Sequence, residues 1–365
     1  VEKIKVLVVD DSAFMRKLIT DFLSEAPNIE VVGIARNGQD AIEKIKELKP
    51  HVVTLDIEMP VMNGLEALKR IMEEHPVPVV MLSSTTKEGA ENTVLSMQYG
   101  AIDFIAKPSG PISLDLHKIK EEIITKVLLA SRANLRTFGK SEVKKINPVP
   151  FPNYSKIETE EFSSNVHRGQ EKKKIVCIGT STGGPRALQQ VLMRLPETIQ
   201  APILIVQHMP KGFTKSLATR LDSLCKIHVK EAEDGELLKN GTAYIAPGGF
   251  HLKVTKRRNV PAIQIDESPE RNGHRPSVDV MFESISTLYD YEKIAVIMTG
   301  MGSDGTEGLK HLRQSGYVKA VAESEETAVV FGMPKAAITA NLVDDVVPLN
   351  KIAEMIMKYV NGQGV

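Results

Sequence analysis

The sequence has no tryptophan, few aromatic residues of any kind (5%), and only two cysteines, Cys177 and Cys225. Two thiols in a chain of 365 residues make neither a disulfide framework nor a cysteine metal site. Cys177 lies in the apolar run Ile175–Ile178, where a buried free thiol is expected. No apolar run approaches the ~20 residues of a membrane span. Lys3 and Lys5 are followed by a strand-like run and then acidic residues, unlike a secretory signal. A soluble protein in a reducing, cytoplasmic setting is expected, with no membrane insertion. Surplus charge is absent too: 46 Lys and Arg balance 46 Asp and Glu. That balance argues against a chain that binds nucleic acid over its whole surface.

The zero hides a division. Residues 1–122 carry 14 basic and 20 acidic side chains, residues 123–174 carry 11 and 5, and residues 175–365 carry 21 of each. An acidic part, a basic tether and a balanced part follow one another. With 42% apolar and 25% charged residues, the length suits two globular domains.

In the first part, short apolar runs at Lys5–Val9, Ile29–Ile34, His51–Leu55, Val79–Leu82 and Asp103–Ala106 alternate with helical periodicity. Five such alternations predict an α/β domain, a flavodoxin-like five-stranded parallel sheet with helices on both faces. The pattern stops in the stretch holding Pro148, Pro150 and Pro152, which reads as a linker. The domains are therefore expected at 1–134 and 174–365, joined by 135–173. The second is a doubly wound, mostly parallel α/β domain with runs at Lys174–Ile178, Ile203–Gln207, Ile227–Glu231, Ile294–Met298 and Val318–Ala322. Thr242–Ala246, His251–Thr255 and Ala262–Asp266 read as an antiparallel excursion.

Chemistry in open α/β sheets gathers beyond the carboxyl ends of strands. In the first domain those ends carry Asp10 and Asp11, Asp56, Ser83 and Lys107. Three clustered carboxylates repel unless a cation intervenes, and a hard divalent ion such as Mg²⁺ would relieve them. The cation and Lys107 would neutralise an incoming phosphoryl group, leaving Asp56 as nucleophile. Taken singly these are ordinary loop residues, and Asp11 or Ser12 would serve as a helix N-cap.

The set resembles the receiver domain of two-component response regulators. It is carried by Val8-Val9-Asp10-Asp11-Ser12, Leu55-Asp56-Ile57-Glu58-Met59-Pro60, Ser83-Ser84 and Lys107-Pro108. The resemblance implies that Asp56 accepts phosphate from a histidine kinase. It implies Mg²⁺ held by Asp11, Asp56 and the Glu58 carbonyl, and through water by Asp10. It also implies that Ser83 and Phe104 couple phosphorylation to a surface rearrangement.

In the second domain the strand ends are Gly179-Thr180-Ser181-Thr182-Gly183-Gly184, Gln207-His208-Met209-Pro210 and Thr299-Gly300-Met301-Gly302-Ser303-Asp304-Gly305. The first lacks the second glycine of a dinucleotide fingerprint and the lysine of a P-loop, but satisfies G-x-S-x-G. Serine, histidine and aspartate on three strand ends supply a nucleophile, a general base and an orienting carboxylate: Ser181, His208 and Asp304. Each alone has an ordinary alternative, a glycine-serine turn, a structural histidine and an N-cap. The Met301 N–H is the candidate oxyanion donor. His251 is a rival base, and Arg271–Asp279 either lines the cleft or is a solvated loop.

Joined to a receiver, this domain resembles the chemotaxis protein-glutamate methylesterases of the CheB type. Further matching stretches are Ala246-Pro247-Gly248, His274-Arg275-Pro276-Ser277-Val278-Asp279 and Val330-Phe331-Gly332-Met333-Pro334. The resemblance implies hydrolysis of glutamate methyl esters on methyl-accepting chemotaxis receptors by Ser181, His208 and Asp304, with receptor glutamine deamidation as a second reaction. It implies no cofactor for the ester chemistry, a monomer, and a receiver that blocks the active-site face until phosphorylated. The competing reading is a response regulator with a nucleotide- or DNA-binding output. It calls for a compact basic module or phosphate-loop residues, neither of which the second domain supplies.

Overall fold

The computed structural model describes residues 2–107, 116–133, 173–258 and 260–362. The expected linker, 135–173, lies outside them apart from Lys173, as does Pro108.

The first unit is a five-stranded parallel sheet. Its strands are β1 (Ile4–Val9), β2 (Ile29–Ala35), β3 (Val52–Asp56), β4 (Val79–Ser83) and β5 (Asp103–Ala106), in the order β2-β1-β3-β4-β5. The central strand β3 is buried along its whole length, as expected of a parallel strand covered on both faces. Helices α1 (Ala13–Ser24), α2 (Gly38–Leu48), α3 (Gly64–Glu74), α4 (Lys87–Tyr99) and α5 (Leu116–Ala130) cover it. The first four begin on side-chain caps from Ser12, Asn37, Asn63 and Thr86, each worth ~1 kcal/mol against alanine. The chain leaves β1 toward β2 on one side and returns to β3 on the other. The switch point therefore falls between β1 and β3, where Asp10, Asp11 and Asp56 emerge.

The second unit is a seven-stranded, all-parallel sheet in the order β14-β13-β12-β6-β7-β9-β8. In chain order these are β6 (Lys173–Thr180), β7 (Ile203–Gln207), β8 (His228–Glu231), β9 (Thr242–Ile245), β12 (Tyr291–Ile297), β13 (Val318–Glu323) and β14 (Asp345–Val347). Among the described strands, β10 (His251–Arg257) and β11 (Val260–Asp266) alone are antiparallel, in a separate hairpin. The run expected to open the antiparallel excursion is instead β9, which is wholly buried and pairs parallel to β7 and β8. A strand buried on both faces cannot show the alternation of a hairpin strand.

Helices α6 (Gly184–Leu192), α7 (Phe213–Asp222) and α11 (Leu349–Val360) pack on one face of this sheet. On the other lie α8 (Val278–Ser286), α9 (Thr306–Gln314), α10 (Met333–Thr339) and the hairpin. From β6 the chain runs through β7 to the edge strand β8 and back to β9 between them, then returns to β12 on the opposite side of β6. The ends of β6, β7 and β12 therefore surround the second switch point.

The units are in contact. One buried apolar cluster runs from the first unit into α6 and α7. The Phe104 and Phe213 rings lie 4.6 Å apart, and Arg220 donates to Gln98 over 2.9 Å. Val329 of the second unit packs into the first unit's α1–α5 core.

Candidate active site and phosphoacceptor pocket

At the first switch point one carboxylate oxygen from each of Asp10, Asp11 and Asp56 lies within 4.8 Å of the other two. Lys107 bridges two of them, 2.7 Å from Asp56 and 3.0 Å from Asp10. Burial raises the Asp56 carboxyl to about 6, against the pull of Lys107, and the Asp10 charge adds to the rise. Burial works against the Lys107 charge, but Asp56 and Asp10 more than offset it and raise that ammonium. Asp56 Oδ2 is buried without a hydrogen-bond partner among the described residues. Three converging carboxylates and an unpartnered buried oxygen fit a hard divalent cation. Ser12, not Asp11, caps α1. Ser83 lies at the end of β4, wholly buried, donating to the Gly89 carbonyl and accepting from Thr93. Phe104 is buried against Phe213 of the second unit. The Glu58 side chain turns outward to accept from Ser84.

The second switch point gathers the other three predicted residues. Thr180 pairs with Gln207 in the β6–β7 ladder, so Ser181 and His208 leave the sheet side by side. The Ser181 N–H donates to the Thr299 carbonyl, tying the Ser181 turn to the segment after β12. The left-handed turn that starts α6 falls on Gly183 (φ 78°), so Ser181 itself carries no backbone strain. Asp304 Oδ2 lies 2.8 Å from His208 Nε2. His208 Nδ1 is buried and has no partner among the described residues. The carboxylate thus faces Nε2, leaving Nδ1 as the free ring nitrogen, the reverse of the arrangement in chymotrypsin-type proteases.

Asp304 does not cap the helix that follows it. It sits on the N-terminus of α8, where its two oxygens accept from the Val278 N–H at 2.7 Å, the Asp279 N–H at 3.0 Å and the Ser277 hydroxyl at 2.8 Å. Burial pushes its carboxyl up, but the His208 contact and these N–H groups outweigh that and hold it well below the ordinary carboxylate range. His251 is fully occupied elsewhere. Its Nδ1 accepts from the Ser277 N–H and its Nε2 lies 3.1 Å from the Pro269 carbonyl. It supports the Ser277 turn and is removed from candidacy as the base.

The loop after β12 closes the site. Gly300 accepts from the Gly332 and Met333 N–H groups, and a Cβ at Gly300 would fall 2.8 Å from the Ser181 Cβ. Only glycine admits that approach. It brings the Gly300 backbone against Ser181, one residue before Met301. Several members of the site were not singled out from the sequence. Gln207 Nε2 donates to the Ser181 and His208 carbonyls, while its Oε1 accepts from Thr180. The His274 ring stacks on His208 with centroids 3.9 Å apart. Burial, then the neighbouring His208 charge, lowers His274 to about 4. The stretch Arg271–Asp279 therefore lines the cleft at its His274 end. Thr182, next to Ser181, donates to Asp103 of the first unit.

The chain matches two family models, described as CheB methylesterase over residues 176–356 and response regulator receiver domain over residues 6–118. It is 61% identical to a protein-glutamate methylesterase/protein-glutamine glutaminase of Geobacillus kaustophilus, covering 98% of this chain and 99% of that one. It is 51% identical to the protein of the same description from Bacillus subtilis, covering 99% and 100%. Among solved structures it resembles the Thermotoga maritima CheB methylesterase catalytic domain, with 48% identity, a TM-score of 0.50, and coverage of 51% of this chain and 98% of that one. With both halves matched and near full-length relatives above half identity, the chain belongs to the CheB methylesterase family and carries a response regulator receiver domain at its N-terminal end.

Proposed function

We propose that the protein hydrolyses glutamate methyl esters on methyl-accepting chemotaxis receptors, in the cytoplasm and as a monomer, under control of its own receiver. The observation that carries this reading is the His208–Asp304 pair beside Ser181 at the switch point of the second sheet. With Asp304 fixing a proton on Nε2, His208 Nδ1 takes the Ser181 proton as Oγ bonds to the ester carbonyl carbon. The Met301 N–H receives the developing oxyanion. On collapse the C–O bond to methoxide breaks, the proton returns from Nδ1, and methanol leaves. Water attacks the acyl-serine by the same proton route and frees the glutamate. A glutamine side chain enters the same sequence and loses ammonia in place of methanol.

Residues 1–134 act as the switch, 174–365 as the esterase, and 135–173 join them. Asp56 accepts the phosphoryl group from a histidine kinase. Asp10, Asp11, Asp56 and the Glu58 carbonyl would hold Mg²⁺, which supplies positive charge against the phosphoryl oxygens. Lys107 is expected to exchange its contact with Asp56 for one with the phosphoryl group, and Ser83 and Phe104 to pass the change to the β5 edge. That edge supports control by occlusion, because Asp103 is bonded to the residue after the nucleophile and Phe104 packs on the start of α7. The ester chemistry needs no cofactor, and no nucleic acid takes part. Esterase activity measured with and without a small-molecule phosphodonor tests the coupling. Activation is expected in the wild type and not in Asp56→Ala, and equal activation of both contradicts it.

A further inference from the structure

The carboxylate of Asp279 lies in the second residue of α8, is 1% exposed, and has no part in the reaction described above. Its Oδ1 accepts the Gly305 N–H at 2.9 Å and the Gly308 N–H at 2.7 Å. Those groups open α9, a helix whose own N-cap, Gly305, has no side chain to cap it. A helix start buried without acceptors for its N–H groups is costly, and here the acceptor comes from the neighbouring helix. Asp304, from the loop before α9, in turn accepts two N–H groups at the start of α8. The helices therefore cap each other, one aspartate from each side. Gly308 makes this possible, since a Cβ there would lie 2.8 Å from the Asp279 Cα.

From this geometry we infer that Asp279 is a positioning residue for the ester hydrolysis, holding Asp304 in register with His208 by cross-capping α9. The inference rests on the triad reading proposed above. Asp279 is also electrostatically close to the triad, because Asp279 Oδ1 and Asp304 Oδ1 share the Gly305 N–H. The titratable groups on that side are Asp304 and, beyond it, His208 with its stacked partner His274. Among the described residues, α9 offers the carboxylate its backbone N–H groups, and the loop before α8 the Asn272 amide at 3.4 Å. Burial raises Asp279 to about 6 against the Gly308 N–H, and the Asp304 charge adds to the rise.

The test uses the full chain with phosphodonor and methylated receptor. It compares Asp279→Asn and Asp279→Ala, with Ser181→Ala as control. Asparagine keeps an oxygen for both N–H groups but carries no charge; alanine removes both. Asp279→Ala is expected to lose ~10–100-fold in kcat with little change in KM, as for a displaced catalytic group. Asp279→Asn is expected to recover most of that loss. Its acid limb of kcat/KM should move to lower pH by about half a unit, because a negative charge near His208 has gone. A purely structural role would lower activity or melting temperature without moving the limb. If Asp279→Ala fails to fold, the limb of Asp279→Asn still decides the matter. An unmoved limb in Asp279→Asn, or a near-normal kcat in Asp279→Ala, overturns the inference. Turnover surviving in Ser181→Ala overturns the triad reading instead.

Discussion

Replacing Asp304 by asparagine probes the proton arrangement of the site directly. The carboxylate accepts from five donors. His208 Nε2 and the Val278 N–H meet Oδ2, while the Ser277 hydroxyl and the Asp279 and Gly305 N–H groups meet Oδ1. An asparagine has one acceptor oxygen and one NH₂, so it cannot satisfy both sides. With its oxygen in the Oδ1 position, the Val278 N–H is orphaned; with its oxygen in the Oδ2 position, the Asp279 N–H and the Ser277 hydroxyl both lose their acceptor, while the Gly305 N–H keeps Asp279 Oδ1. Each orphan costs ~1–3 kcal/mol, so the first placement is favoured. It turns the NH₂ toward His208 Nε2, which must then be the unprotonated nitrogen. The ring proton moves to Nδ1, and the base is lost. The corresponding change in chymotrypsin-type proteases costs ~10⁴-fold in kcat, about 5 kcal/mol at 1.36 kcal/mol per decade. The same orphan predicts a melting temperature lower by a few degrees, at ~2–4 °C per kcal/mol for a domain of this size. The assay is methanol release from methylated receptor, with circular dichroism to follow folding. A loss of 10³–10⁴-fold in kcat is expected in a folded protein. Turnover within tenfold of wild type would refute the reasoning, because Asp304 would then not be setting the tautomer. The pH sign agrees with this role. The folded carboxyl is depressed, so its stabilising contribution is complete above the unfolded value of ~3.9 and is lost only on strong acidification through the folded value.

Two further changes are predicted. Arg220→Ala removes the contact to Gln98 between the units. At ~0.5–1.5 kcal/mol for one hydrogen bond, basal esterase activity should rise about 2–10-fold while the phosphorylated rate stays unchanged; an unaltered basal rate contradicts occlusion through this face. His274→Phe keeps a stacked ring on His208 but removes a group that titrates near 4 when folded and near ~6.5 when unfolded. Between those values the unfolded chain binds more protons, so the contribution of His274 to stability is full above ~6.5 and is lost as pH falls toward 4. The fall in melting temperature from pH 7 to pH 4.5 should therefore be smaller in His274→Phe, and identical falls would contradict the assignment.

Much of this molecule is legible in its sequence because parallel α/β sheets mark their own active edges. Asp10, Asp56, Ser181 and His208 stand at or just past the ends of buried runs, and Asp304 lies in the loop that follows another. What stays hidden depends on neighbours far apart in the chain. Thr242–Ile245 reads as a hairpin strand from the turn that follows, although its unbroken burial is that of a central strand. Asp304 taken alone offers itself as the cap of the helix after it, yet it accepts from the N-terminus of the helix two elements earlier in the chain, α8. Which ring nitrogen of His208 meets the carboxylate, and that His274 lies flat against it, are consequences of packing. No local pattern in the sequence encodes them.

The central claim is that Ser181 is the nucleophile of an ester hydrolysis on receptor glutamates. The most direct measurement is methanol released from methylated receptor by the phosphodonor-treated full chain, wild type against Ser181→Ala. The account predicts that release by the folded Ser181→Ala protein falls to the uncatalysed background. Release at or near the wild-type rate would contradict it.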